Sequence, residues 1–265
     1  MIKFFRYIRK SLLMEDKTSK YIKYAIGEIV LVVIGILIAL QINNWNKSQN
    51  EKQIEKQYLK NIVRDLEEQI KSIEVQMENE QSYYEAASYL IEDYNEDYRL
   101  TLDSTFYKLA SSLTSRKTFV ITDPTYTDLI SSGNINIIRN QAYKDKLLNY
   151  YQELERIEKI IQNNNSLLID QHYIMAFLKN GYYYNNTLEE YDNSLSKFPG
   201  FVVTPNYNIE IQDISEQIIM KNENKLALMN AISFRHNLAL GHFEKLQNVK
   251  SLTQSLMQEL KKGKQ

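Results

Sequence analysis

An all-α fold with a single N-terminal transmembrane helix and a long-helix bundle is the fold class that this sequence predicts. Three observations lead to it. Residues 25–42 read AIGEIVLVVIGILIALQI, the 265-residue chain has only 7 glycines and 3 prolines, and apolar residues recur at helical spacing through much of the remainder. So few helix breakers over such a length favour long helices over a turn-rich β architecture.

The apolar tract is long enough to cross a bilayer. No polar side chain occurs from Ile29 to Leu40, and a helix of this tract covers roughly 27 Å at about 1.5 Å per residue. We therefore predict a transmembrane helix at residues 24–45, with Tyr24 and Trp45 at the two membrane interfaces. A cleaved signal peptide is disfavoured because no small-residue cleavage site follows the tract. A buried core helix is disfavoured because such helices seldom stay apolar on every face.

Small residues lie along this tract. Gly35 and Ala39 are four residues apart and Gly27 lies two turns earlier, a spacing that lets two transmembrane helices approach closely. Dimerisation through this face is one interpretation, and a chance occurrence of small residues is the other. Glu28, the one charged residue in the tract, is interpreted as reaching the headgroups rather than as an ion site.

The flanking charges predict the orientation. An excess of Lys and Arg precedes the tract, at Lys3, Arg6, Arg9, Lys10, Lys17, Lys20 and Lys23. By the positive-inside rule, residues 1–23 are cytoplasmic and residues 46–265 form a helical bundle that is translocated to the other side of the membrane. Residues 2–13 form an amphipathic, basic pattern that predicts contact with anionic membrane lipid.

The N-terminal sequence resembles a known family. The stretch KYIKYAIGEIVLVVIGILIALQINNWN at residues 20–46, preceded by MIKFFRYIRKSLL, is similar to the start of uncharacterised single-pass membrane proteins of Bacteroidota, especially flavobacteria. TYTDLISSGNINIIRN at residues 125–140 resembles a second segment of that family. The resemblance implies a Gram-negative inner membrane. It implies no activity, cofactor or catalytic residue, because the family is a domain of unknown function.

Long helices are predicted beyond the span. The stretch from Asn46 to about Tyr98 has no Gly or Pro and carries apolar residues at 3–4 spacing, at Leu59, Ile62, Leu66, Ile73 and Met77. This repeat lasts about three heptads, which is marginal for a coiled coil, so packing within the chain is the favoured interpretation. A final helix is predicted from about Ile209 to Leu260, with a kink near residues 222–224 or at Gly241.

Shorter elements are predicted between these helices. They are a helix within residues 103–116, a helix of about ten residues that starts at Asp123-Pro124 and closes at Gly133, and an extended connector at residues 134–138. Asn140 is predicted to cap a helix that runs to about Lys179.

Common catalytic and metal-binding patterns do not occur. The absence of Cys excludes a disulfide and a thiolate site. His236 and His242 are six residues apart and do not form an i, i+4 metal pair, and no HExxH, GxSxG or phosphate loop occurs. With a net charge of −1, nucleic acid is not an expected partner. We expect no enzymatic activity, no metal and no cofactor.

The predicted function is a membrane-anchored interaction or structural module that binds a second copy of itself or another envelope protein. The alternative is a periplasmic sensor-like ligand-binding domain that signals through a partner, since about 23 cytoplasmic residues are too few for an output domain. Tyr182, Tyr183 and Tyr184 are a candidate binding loop, because tyrosine gives rigid aromatic contact area. The competing interpretation is that these tyrosines pack the loop onto the bundle.

Overall fold

The computed structural model describes residues 18–184 and 208–262, and these residues form helices and connecting segments without a β-strand. The all-α prediction is therefore confirmed for the described part of the chain. The predicted amphipathic pattern at residues 2–13 lies outside the described residues.

The helices follow one another through short connections. In chain order they are α1 (Thr18–Asp97), α2 (Ser104–Ser112), α3 (Pro124–Ser131), a 3₁₀ helix (Asn134–Ile137), α4 (Gln141–Asn164), a π-helix (Asn165–Ile174), α5 (Met175–Asn180), α6 (Ile209–Ile219) and α7 (Asn222–Lys262).

The chain divides into two compact units, Met1–Gln57 and Tyr58–Gln265. In the first unit, the described residues belong to α1. Its most apolar 18-residue window has a mean hydropathy of 2.6, and none of that window is buried. By length and composition this helix is apolar enough to cross a membrane. The predicted boundaries after residues 23 and 45 stay predictions.

The second unit buries two separate hydrophobic clusters. The first joins α1, α4 and the C-terminal half of α7, with Leu66, Leu154 and Leu256 among its members. The second joins α1, α2, the π-helix, α5, α6 and the N-terminal half of α7. Because Ile62, Leu66 and Ile73 are fully buried within this unit, the apolar stripe of α1 packs against helices of the same chain.

Side-chain caps explain where several helices begin. Asp103 Oδ1 accepts a 2.8 Å hydrogen bond from Phe106 N and so starts α2. Asn140 caps α4 as predicted, by accepting from Tyr143 N. Gly133 follows α3 with φ of 71°, the left-handed conformation that favours glycine. Asp123 precedes α3 but makes no capping hydrogen bond to its backbone, and its Oδ2 accepts instead from Thr127 Oγ1.

Three local predictions differ from the structure. Residues 134–137 form a 3₁₀ helix rather than an extended connector. The predicted final helix is two helices, because α6 ends at Ile219 and α7 begins at Asn222; this break lies beside the kink predicted near residues 222–224, whereas Gly241 lies inside α7 without a break. The π-helix after α4 was not predicted. Such segments are rare, and the amphipathic pattern gives no signal for their wider turn.

The two aspartates that precede α2 and α3 make a matched test of this description. Asp103→Ala should lower the free energy of unfolding by about 1 kcal/mol, because a capping bond is lost. Asp123→Ala should cost clearly less, because no bond to the backbone is lost. Urea unfolding of the full chain in detergent micelles, followed by circular dichroism, measures both. Equal losses for the two variants would contradict the assigned caps.

Candidate functional site

The residues predicted to lie in the membrane tract are open to their surroundings. Trp45 is 64% exposed, and a Cβ atom added at Gly27 or Gly35 would meet nothing within 4 Å. Ala39 is exposed as well, and the side chain of Tyr24 lies outside the described residues. This face has room for a second helix, and contact through it stays a prediction.

The three consecutive tyrosines do not form one exposed surface. Tyr182 is 5% exposed, and its ring meets Tyr107 edge to face at 5.6 Å. Tyr184 packs against the second hydrophobic cluster, and its N–H donates to Ser111 Oγ at 2.7 Å. Tyr183 is the exposed member, at 42%. For Tyr182 and Tyr184 this placement favours the packing interpretation, and the binding role of the loop stays a prediction.

The three histidines differ in exposure and in the residues they contact. His172 is exposed on the π-helix. The Nε2 of His236 lies 3.1 Å from Ser88 Oγ, and its ring lies against Tyr84. His242 is 1% exposed. Among residues 18–184 and 208–262, no group of three potential ligands could hold a metal ion.

A buried charged cluster joins α1 to α7 at Glu80, Arg235 and His242, each at most 2% exposed. Arg235 Nη1 lies 3.6 Å from Glu80 Oε2, which is an ion-pair distance rather than a hydrogen bond. His242 Nδ1 lies 3.3 Å from Glu80 Oε1, and His242 Nε2 lies 3.0 Å from Asn164 Nδ2. Glu80 is therefore shared between two basic side chains in the interior.

The environment of Arg235 is dry and aromatic. Its guanidinium lies 4.3 Å from the ring centroid of Tyr83, a cation–π distance. Burial lowers the pKa of Arg235, while Glu80 opposes this shift. Burial likewise raises the pKa of Tyr83, and Arg235 opposes it. Because arginine is not deprotonated in proteins, Arg235 carries a buried positive charge beside the Tyr83 ring.

This cluster holds a non-helical segment. Residues 115–123, called the strap below, connect α2 to α3 without helix or turn. Arg235 donates to the carbonyl oxygens of Leu113 and Ser115, at 3.4 and 3.3 Å. Gln76 and Asn165 both donate to the carbonyl oxygen of Lys117, at 3.3 and 3.0 Å.

The C-terminal half of the strap is held through its amide groups. Thr122 N donates to Gln69 Oε1 at 2.6 Å, and Ile121 N donates to Glu158 Oε1 at 3.4 Å. Just beyond the strap, Thr125 N donates to Asp65 Oδ2 at 3.0 Å. Gln69 and Asp65 are buried on α1, so the side-chain oxygens of these buried residues accept hydrogen bonds from backbone amides of the strap and of the start of α3.

A groove of about 580 Å³ runs between α1 and the strap. The residues that line it are Glu68, Lys71, Ser72, Val75, Gln76, Asn79, Lys117, Thr118 and Thr122. Two other grooves lie between α4 and α7 and between the π-helix and α7. Of the three, this groove is the one that residues of the strap line.

The sequence does indicate that these polar residues are buried, although the spacing of apolar residues alone does not identify them. Extending the 3–4 spacing of Ile62, Leu66 and Ile73 along α1 places Gln69, Gln76 and Glu80 at core positions. Polar residues at core positions need partners. Gln76 and Glu80 contact each other at i, i+4, but their other partners lie from 41 to 162 positions away in sequence and could not be identified from spacing.

The comparisons with known proteins give one match. The model of a family of unknown function, DUF6090, matches residues 28–189 of the chain. No curated protein and no solved structure matches.

The buried cluster predicts an asymmetry between two arginine substitutions. Arg235→Met should lower the free energy of unfolding by about 3–5 kcal/mol, because Glu80 keeps a buried charge without its cation. Arg156→Met breaks an exposed pair with Glu153 and should cost at most about 1 kcal/mol. Adding Glu80→Gln to Arg235→Met should recover part of the loss. Chemical unfolding of the full chain in detergent tests this, and similar small losses for both arginines would contradict the assignment.

Proposed function

Since this chain belongs to DUF6090, a family without a known function, we propose a function from the physical character of the chain itself. We propose that it is a membrane-anchored helical module that binds another protein of the cell envelope. The observation that carries the proposal is the apolar window of α1, which is wholly exposed at a mean hydropathy of 2.6.

An exposed surface of this kind favours a lipid environment. Full burial of a Leu, Ile or Val side chain provides roughly 1.5–3 kcal/mol relative to exposure, and Ile29, Leu31 and Ile34 are among many residues of the tract that forgo much of it. The family match begins at residue 28, inside the apolar tract. This supports a tract that belongs to the shared domain rather than to a removable leader.

The proposed orientation follows from the excess of Lys and Arg before the tract. The N-terminus lies in the cytoplasm, and the helical domain lies in the periplasm of a Gram-negative cell. Anchoring raises the effective concentration of the domain for partners in the same membrane, so weak contacts suffice.

Binding rather than catalysis is supported by the character of the buried polar groups. Glu80, Arg235 and His242 are almost fully buried, and Arg235 also holds backbone carbonyls of the α2–strap junction. They stabilise the bundle and present no reactive atom to a substrate. The surface beside the strap, in contrast, is open and polar.

Extraction of membranes with alkaline carbonate tests the anchor. The full chain should stay in the membrane pellet. Val33→Arg with Ile36→Arg should release it or prevent insertion, because each arginine near the centre of a span costs about 2.5–3.5 kcal/mol. The matched control places the same two arginines at Asn50 and Gln53, outside the tract, and should remain in the pellet.

Release of the unaltered chain by carbonate would contradict the anchor. Orientation is tested separately, with reporters fused after Gln265. A reporter that works only in the periplasm should be active, and a cytoplasmic one should be inactive. The reverse pattern would contradict the proposed orientation without affecting the anchor.

A further inference from the structure

We propose that the groove between α1 and the strap binds an extended peptide segment of a partner protein, which pairs with the strap through backbone hydrogen bonds. This inference rests on the proposed binding function and names the kind of partner. The juxtaposition that carries it is a fixed, non-helical backbone beside a groove lined by Glu68, Ser72 and Asn79 of α1.

The middle of the strap, residues 118–120, alternates as an extended chain does. Phe119 is 1% exposed, whereas its neighbours Thr118 and Val120 are exposed. Ile121 N donates to Glu158 of α4, and Thr122 N donates to Gln69 of α1. The adjacent amides of Ile121 and Thr122 thus point to opposite edges of the strap, toward α4 and toward α1.

The edge that faces α1 has spare hydrogen-bonding groups. Thr118 and Val120 lie four and two residues before Thr122, so their N–H and C=O groups share its edge. Within the described residues, these backbone groups make no hydrogen bond to protein. An unpaired extended edge of this kind is what an added peptide strand recognises.

The strap is already ordered before any partner binds. Gln76 and Asn165 fix the carbonyl of Lys117, and Gln69 fixes the amide of Thr122, so the strap is anchored on both sides of Thr118 and Val120. A peptide that pairs with this edge orders its own chain only, and pre-organisation of this kind favours affinity.

The side chains around the groove indicate the chemistry of the peptide. Val75 and Val120 are 58% and 56% exposed and give two apolar contacts for alternate side chains. Lys71 is paired with Glu68 at 2.9 Å. Lys117 is exposed at the rim, and no ion pair is found for it within the described residues. An acidic side chain in the peptide complements it.

A partner helix fits this groove less well. A helix satisfies its backbone groups internally and offers none to Thr118 and Val120. The helical face that lines the groove is mostly polar, with Val75 as its exposed apolar residue, whereas helix-in-groove binding uses a continuous apolar stripe.

The experiment uses the full chain in lipid nanodiscs and a display library of random linear peptides of about 12 residues as the probe. Val75→Lys places a charged side chain in the groove. Peptides that bind the unaltered chain are kept for further study only if this variant lowers their affinity about tenfold or more. Val120→Pro removes the N–H of the free edge and should weaken the same peptides by about tenfold. Val120→Ala keeps the backbone N–H and loses only the apolar contact, so as the matched control it should weaken the same peptides clearly less than Val120→Pro.

N-methylation of each peptide residue in turn identifies the binding mode. Backbone pairing predicts a period of two, in which alternate N-methyl groups reduce affinity about tenfold and the others are tolerated. The circular-dichroism spectrum of each variant shows whether it folds, and Val75→Lys tests the groove without altering the strap. No peptide sensitive to Val75→Lys, or sensitive peptides without the period of two, would overturn the inference. Either failure leaves the membrane anchor intact, because carbonate extraction tests that independently.

Discussion

A non-helical segment inside a helical bundle has no neighbouring strand with which its backbone can form hydrogen bonds. The structure of this domain depends on how the backbone groups of such a segment, the strap, find other partners. The strap lies against α1, α4 and α7, and its inward-facing carbonyl and amide groups need hydrogen-bond partners. Leaving one such buried group unpaired costs about 1–3 kcal/mol. The helices supply partners from polar side chains at core positions, with Gln69, Gln76 and Arg235 as the main donors and acceptors.

The same constraint divides the core into two parts. Along α1 the first hydrophobic cluster ends near Ile73, and the second begins at Tyr83. Gln76 and Glu80 lie between them on α1, and His242 lies between the two clusters on α7. The buried charges thus form a polar layer through the bundle. The layer keeps the edge of the strap in a fixed position beside the surface that we propose to be the binding site.

Much of the fold could be predicted because local chemistry determines it. A helix continues where no glycine or proline interrupts the chain, as between Asn46 and Asp97, and begins where a side chain caps its first amides, as at Asp103 and Asn140. Both effects act over a few residues. The 3₁₀ helix at residues 134–137 places Ile135 against the first hydrophobic cluster and Asn134 against Tyr58, contacts that sequence spacing does not show. The interruption at residues 220–221 lies beside the kink predicted near residues 222–224, where Asn224 Nδ2 donates to Ile218 O at 2.8 Å. The polar layer was missed for another reason. Both basic partners of Glu80, Arg235 and His242, lie on α7, and only the folded structure brings them to it.

Amide hydrogen exchange along the strap tests the central claim most directly, that side chains of the bundle hold this backbone while one edge remains free. In the full chain in detergent micelles, followed by NMR, the amides of Ile121, Thr122 and Thr125 should exchange slowly, since each donates to a side chain of α1 or α4. The amides of Thr118 and Val120 should exchange orders of magnitude faster. Uniformly fast exchange at all five amides would contradict the account, because the strap would then lie free of the bundle.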